Sequence, residues 1–169
     1  MPSLFVFVGP ISSGKSTLAR QLAREGFVIV NDDAFTMAFH AGQYPLYTKS
    51  LKPLYKAVED TAITTALTLG TNVVVDRPNL KPEIRAHYIA LAHRLDISVA
   101  AVTFPNLGPV KQGKKRFASD NRGHDEAYWI EAARRHQDGG KAPSFDEGFE
   151  SIMTSEACRL QFVSSSNQE

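Results

Sequence analysis

The sequence predicts an α/β domain of three layers, with helices on both faces of a central, mostly parallel sheet of four to five strands. Three observations predict it. Apolar runs at residues 4–8, 27–30, 72–76 and 97–104 have the length and composition of buried parallel strands. Segments of helical spacing separate them, and strands that alternate with helices form right-handed crossovers under a covered sheet. Acids close two of the runs, Asp32 and Asp33 after the second and Asp76 at the end of the third. Strand C-termini of such a sheet share one ligand-side edge, so these acids are expected to converge there.

The first strand runs straight into Gly9, Pro10, Ile11, Ser12, Ser13, Gly14, Lys15 and Ser16, followed by Thr17. This is G-x-x-x-x-G-K-[ST] in the setting that pattern needs, between a strand and a helix. The helix covers 17–25, with Leu18 and Leu22 on one face and Gly26 as its stop. Gly9 and Gly14 let the loop turn so that amides, those of Ser12 and Ser13 among them, point inward. The helix N-terminus adds partial positive charge. Lys15 then reaches the β- and γ-phosphates of a nucleoside triphosphate, and Ser16 offers a hydroxyl to Mg²⁺.

Asp32 and Asp33 have two readings. A carboxylate at this edge takes a proton from an acceptor hydroxyl, or it caps the helix expected over 34–40. Both hold if one acid caps and the other catalyses. The next helix is expected over 53–69, with Leu54, Ala57, Val58, Thr61, Ala62, Thr65 and Leu69 inward. Tyr44, Tyr47, Lys49, Lys52, Tyr55 and Lys56 at its start suit a platform for a base. A solvated helix entry with half-packed tyrosines is the favoured alternative.

Asp76 closes a strand of valines, the place of a carboxylate on the Mg²⁺ side. A helix is expected over 82–94, with Ile84, His87, Tyr88, Leu91 and Leu95 inward. His87 and His93 have no metal-ligand partners at useful spacing. The segment 107–125 holds the chain's one basic concentration, Lys111, Lys114, Lys115, Arg116 and Arg122. Arg122 is read as a lid cation closing over the transferring phosphate, and Lys111 and Lys114 as a solvated helix face. A helix over 125–137 carries Trp129, which is either core or ligand-side. A last strand falls near Ile152 or over 158–163, the second being more strand-like by pattern.

Composition removes several function classes. At 169 residues and net charge +1, the chain suits one domain without a global basic field for nucleic acid or membrane. The single Cys158 excludes an intrachain disulfide and suits a reducing compartment, here read as cytoplasmic. No apolar run reaches transmembrane length, and the N-terminal run reads as a first strand rather than a signal peptide. A GTPase would carry a guanine-reading N-K-x-D, which is missing. A coupling ATPase would carry a second acid after Asp76, where Arg77 stands. A phosphotransferase needs a cradle, a metal, a base and a cationic lid, and each has a candidate.

The chain resembles the P-loop 5′-hydroxyl polynucleotide kinases of the phage and DNA-repair type. Residues 9–17, the acidic turn at 31–33 and the stretch 75–85, similar to D-x-x-N-x-x-P-x-x-R, carry the resemblance. So do 120–123 and 143–149, the latter similar to a P-x-x-x-E-G-F loop. The resemblance spans roughly residues 4–153 and implies a P-loop kinase fold with a helical lid at about 107–125; the single domain is read as 1–163, and the polar composition of 164–169 reads as a flexible tail. It implies transfer of the γ-phosphate of ATP, with Mg²⁺, to the 5′-hydroxyl of a DNA or RNA strand. Lys15 and the loop amides would hold ATP, Ser16 and Asp76 the metal. Asp32, or less favourably Asp33, would be the base, and Arg122 with Arg116 would neutralise the γ-phosphoryl. The family's acceptor-phosphate arginine falls three residues after the base, where this chain has Phe35 or Thr36. Arg77, in place of the family's threonine, is the expected substitute for that grip. Any phosphatase or ligase partner is expected to be a separate protein. A small-molecule kinase, acting on a nucleoside, sugar acid or antibiotic, and a non-enzymatic ATP-binding module are the alternatives.

Overall fold

A computed structural model describes residues 1–43, 46–119 and 123–164. Five strands, β1 (Ser3–Val8), β2 (Val28–Val30), β3 (Val73–Val75), β4 (Ser98–Thr103) and β5 (Ser151–Thr154), form one sheet in the order β2-β3-β1-β4-β5. Every pairing is parallel, with Phe5 of β1 beside Val74 of β3 and Ala100 of β4. The described helices are α1 (Lys15–Arg24), α2 (Asp32–Phe39), α3 (Lys52–Thr68), α4 (Pro82–Arg94), α5 (Pro109–Ser119), α6 (Glu126–Gly139) and α7 (Ser155–Phe162). This is the expected three-layer α/β/α fold. None of these helices is long and apolar enough to cross a membrane.

Side chains of a strand alternate between faces, so β1 feeds two cores. Leu4, Val6 and Val8 pack with Ile63 and Leu67 of α3 and Tyr88, Ile89 and Leu91 of α4. Phe5 and Phe7 pack with Leu18 and Leu22 of α1 and Cys158 of α7. Burial on both faces explains the uninterrupted apolar runs.

Three expectations are decided or changed. The last strand is Ser151–Thr154, at the expected position near Ile152, and the favoured run at 158–163 instead belongs to a helix with only its end residue beyond it. Thr154 starts that helix, its Oγ1 accepting from the Ala157 N–H at 3.1 Å. Cys158 and Phe162, four residues apart, then face the sheet, with the Phe162 ring 5.2 Å from Phe5 and 5.6 Å from Phe27. Leu160 between them is exposed. The second change is the face of α3. Tyr55, Glu59, Ile63, Ala66 and Leu67 are buried, whereas Leu54 and Leu69 are exposed. An acid in the buried stripe rotates the face away from the one that apolar counting selects. On α4, likewise, Ile84 is exposed and Arg85 buried. Third, α2 begins at Asp32, two residues before the expected start.

Helices α5 and α6 pack closely through Gly113, where a Cβ would lie 2.5 Å from the Ile130 Cα. Arg85, 0% exposed, staples the loops above the sheet. Its Nε and Nη2 donate to the two carboxylate oxygens of Glu147 at 2.7 and 2.6 Å. Its Nη1 donates to the carbonyls of Asn79 and Lys141, each at 3.0 Å. The hydrogen bond from Arg85 holds the Glu147 carboxyl below its ordinary value of 4.5. The tie therefore holds above that value and is lost only as pH falls through the lowered one. Removing one partner of such a pair strands the other, so Arg85→Ala is expected to cost about 3–5 kcal/mol at neutral pH in urea unfolding.

Candidate active site

The glycine loop is shaped by two contacts. A Cβ at Gly9 would lie 2.7 Å from the Phe104 Cβ, so the strand end accepts no larger residue without a shift. Gly14 has φ +102° and starts α1, its carbonyl accepting from Thr17 and Leu18 at 3.1 and 3.2 Å. Lys15 is buried inside the loop, its Nζ donating to the Gly9 and Pro10 carbonyls at 3.0 and 2.5 Å and to Ser13 Oγ at 3.3 Å. Burial lowers its pKa to about 8, with Asp76 opposing and Arg116 adding to that shift. A cation held by neutral oxygens and partly stripped of water gains strongly from an arriving anion. On the outer side of the loop, His136 Nδ1 of α6 accepts the Ile11 N–H at 3.2 Å. Burial, with Lys15 and Arg135 nearby, lowers the His136 pKa and favours that neutral acceptor.

Asn31 decides the role of the acidic turn. Its Oδ1 caps α2, accepting from the Ala34 N–H at 3.2 Å, and its Nδ2 donates to the Asp76 carbonyl at 2.9 Å. The cap is therefore Asn31, and neither aspartate has that duty. Asp32 Oδ2 lies 3.0 Å from Nη2 of Arg77. Burial raises the Asp32 pKa above its usual 3.8, Arg77 opposes this, and Asp33 and Glu59 add to it. Asp76 is buried at the end of β3.

Ser12, Lys15, Ser16, Asp32, Asp33, Asp76, Arg77 and Arg116 line one cleft of about 310 Å³. Trp129 lines it too, its ring 4.9 Å below the Arg116 guanidinium, so this residue is both buried and on the ligand side. Ser13 lies buried under Lys15, and Thr17 is exposed on the first turn of α1. Phe35 does not reach the cleft. It packs on the core beneath α2, because the helix turns that position toward the sheet. Arg122, with Asp120 and Asn121, lies outside the described residues. Lys111 and Lys114 are exposed, as expected.

Asp32, Asp33 and Arg77 are shared with a second cavity of about 260 Å³ between α2 and α3. Tyr47, Lys52, Tyr55 and Lys56 line it, so the segment expected to be a solvated helix entry borders the acidic turn. Tyr55 is buried and stacks on Tyr47 at 5.7 Å. Tyr44 lies outside the described residues. Lys56 is occupied by Glu59 and Asp60 at 3.2 and 3.3 Å. Arg77 is occupied as well, its Nη1 donating to Glu59 Oε2 at 3.0 Å and to the Tyr88 hydroxyl at 3.2 Å. That arrangement points the guanidinium at Asp32 and the core, so it is not a free grip for a phosphate.

Glu59 and His136 escaped sequence reasoning, and Tyr88 was legible only as an inward-facing residue of its helix. Glu59 carried one signal, an acid four residues from both Tyr55 and Ile63 on a buried face. Mg²⁺ bound together with phosphates asks for one or two protein oxygens. The Ser16 hydroxyl and the Asp76 carboxylate line the same cleft, so the donor set suits that ion. Among the described residues, no group of three or more His, Cys, Asp or Glu side chains is placed to hold a metal.

The solved structures share the fold. A candidate kinase from Chloroflexus aurantiacus superposes with TM-score 0.68 at 14% identity, over 96% of this chain and 99% of its own. Kti12 of Chaetomium thermophilum, in complex with ADP-AlF3, gives TM-score 0.66 at 16% identity, over 94% of each chain. A fungal RNA kinase gives 0.59 at 14% identity, over 90% of this chain and 73% of its own. No curated protein matches the sequence. Residues 4–107 match the family described as an AAA domain, and they comprise more than half of the sequence: the chain belongs to that family, on a kinase-like P-loop fold.

Proposed function

We propose that this chain is an ATP-dependent kinase that transfers the γ-phosphate to the 5′-hydroxyl end of a DNA or RNA strand. One observation carries the proposal. Asp32, free of capping duty, opens on one side to the lysine of the phosphate loop and on the other to a cavity lined by tyrosines and lysines. A nucleotide has the two features such a cavity recognises, a flat ring and an anionic group. An RNA kinase is among the proteins that share this fold.

In this reading Lys15 and the loop amides hold the β- and γ-phosphates. Ser16 and Asp76 would hold Mg²⁺, which supplies charge neutralisation at the phosphates when bound. Asp32 orients the 5′-hydroxyl and takes its proton, while the oxygen attacks the γ-phosphorus and ADP leaves. Asp33 lies beside it as the alternative base. Arg116, on a lid of about 107–125, meets the charge on the γ-phosphoryl, and Arg122 is proposed to join it. Lys52 lines the acceptor cavity and makes no ion pair among the described residues, so the acceptor phosphate is assigned to it rather than to Arg77. An acceptor ring would lie in the cavity bordered by the stacked pair Tyr47 and Tyr55.

The test is transfer of labelled γ-phosphate to a 5′-hydroxyl oligonucleotide, run beside nucleosides and sugar acids. Lys15→Ala and Asp32→Asn are each expected to lower transfer by about 10²–10⁴-fold. Label on a small acceptor alone would overturn the proposal. Lys52→Ala is expected to raise the oligonucleotide KM and leave the ATP KM unchanged. It should also flatten the salt dependence of oligonucleotide binding by about 0.7 in log–log slope. An equal change in both KM values would remove Lys52 from the acceptor side.

A further inference from the structure

We infer that Glu59 and Tyr88 are positioning residues that, from inside the core, fix the Arg77 guanidinium against Asp32. The inference rests on the proposed role of Asp32 as the base. Both residues are 1% exposed and come from different helices, Glu59 from α3 and Tyr88 from α4. Neither lines the cleft beside the phosphate loop; Glu59 borders the cavity between α2 and α3, and Tyr88 lines neither. Each nevertheless takes a hydrogen bond from the same nitrogen, Nη1 of Arg77, at 3.0 and 3.2 Å. The Tyr88 hydroxyl in turn donates to the second oxygen of Glu59. Lys56 lies 3.2 Å from that oxygen and 4.5 Å from the centre of the Tyr88 ring.

A buried carboxylate is costly, and here it sits among apolar neighbours on α3, where a leucine would pack at less cost. Its satisfied partners give it a directional use. Arg77 stands on the loop after β3 and would sample several rotamers without them. The planar fork has its donors in fixed directions, so holding Nη1 aims Nη2. Nη2 then reaches Asp32 Oδ2 at 3.0 Å, and a carboxylate has lone pairs to spare for a hydroxyl. Burial pushes the Tyr88 phenol well up, so it stays neutral and keeps its proton for Glu59. The charged groups acting on Asp32 are Arg77, Asp33 and Glu59, and those around Glu59 are Arg77 and Lys56, with Asp60 and His87 paired next to them.

Tyr88→Phe keeps the ring and deletes only the hydroxyl. It is expected to lower kcat for phosphate transfer by about tenfold or more, as misplaced catalytic groups do, and to leave the ATP KM unchanged. Arg77→Lys replaces the fork with one ammonium that cannot serve three partners. In that background Tyr88→Phe is expected to add little, because both changes act through the same guanidinium. A purely structural tyrosine would give additive losses in the two backgrounds, and that result overturns the inference. Titration of ¹³C-labelled aspartate by NMR provides a readout that needs no acceptor. Tyr88→Phe should raise the Asp32 pKa, since the group that lowers it is no longer held in place, and an unchanged titration overturns the inference. Failure of the native protein to phosphorylate an oligonucleotide would sink the proposed function, and the NMR result would still decide the positioning.

Discussion

The guanidinium of Arg85 is the tie on which the ligand-side edge depends. It holds the carbonyl of Asn79, and Asn79 sits in the left-handed region at φ 44° with its Nδ2 donating to Phe7 at 2.8 Å. Through that turn the neighbouring Pro78 presents its carbonyl to the Gly9 N–H at 3.0 Å. The base of the phosphate loop and the start of the Arg77 loop therefore hang from one buried turn. The same arginine reaches Lys141 and Glu147, so the segment after α6 is pinned to it as well. In a parallel sheet the loops at one edge share no ladder with each other. Side-chain ties of this kind supply the order that backbone pairing cannot.

The site uses burial to hold two charges in reserve. Lys15 is a partly desolvated ammonium whose hydrogen bonds among the described residues go to neutral oxygens, with Asp76 the carboxylate acting on it, and so it gains from an arriving phosphate. Asp32 is a carboxylate pushed toward protonation by burial and pulled back by Arg77. The base role proposed for Asp32 would need both tendencies, since a fully stabilised carboxylate takes protons poorly and a neutral one not at all. Asn31 caps α2 itself, its Oδ1 accepting from Ala34, so the N-cap duty falls on neither aspartate.

Much of this was legible in the sequence. The glycine loop, four strands and the convergence of Lys15, Asp32 and Asp76 follow from apolar runs and from the geometry of strand ends. The failures have physical causes. β5 is a four-residue strand at the sheet edge with partly exposed side chains, so it leaves no long apolar run and its position near Ile152 ranks below 158–163 by pattern. Residues 158–163 alternate like a strand, yet the i, i+4 pair of Cys158 and Phe162 is what packs. Apolar counting cannot see Glu59 as core, because its burial depends on Arg77 and Tyr88 far away in sequence. The offset from Asp32 points Phe35 at the acceptor side, but the helix that begins at Asp32 rolls that position into the core.

The central claim is that Asp32 meets the acceptor hydroxyl. A structure of the protein with a non-hydrolysable ATP analogue and a 5′-hydroxyl oligonucleotide tests it most directly. The 5′-oxygen is expected within about 2.6–3.2 Å of the Asp32 carboxylate, with the terminal nucleotide between α2 and α3. A 5′-oxygen at Asp33, or a strand bound outside that cavity, would contradict it.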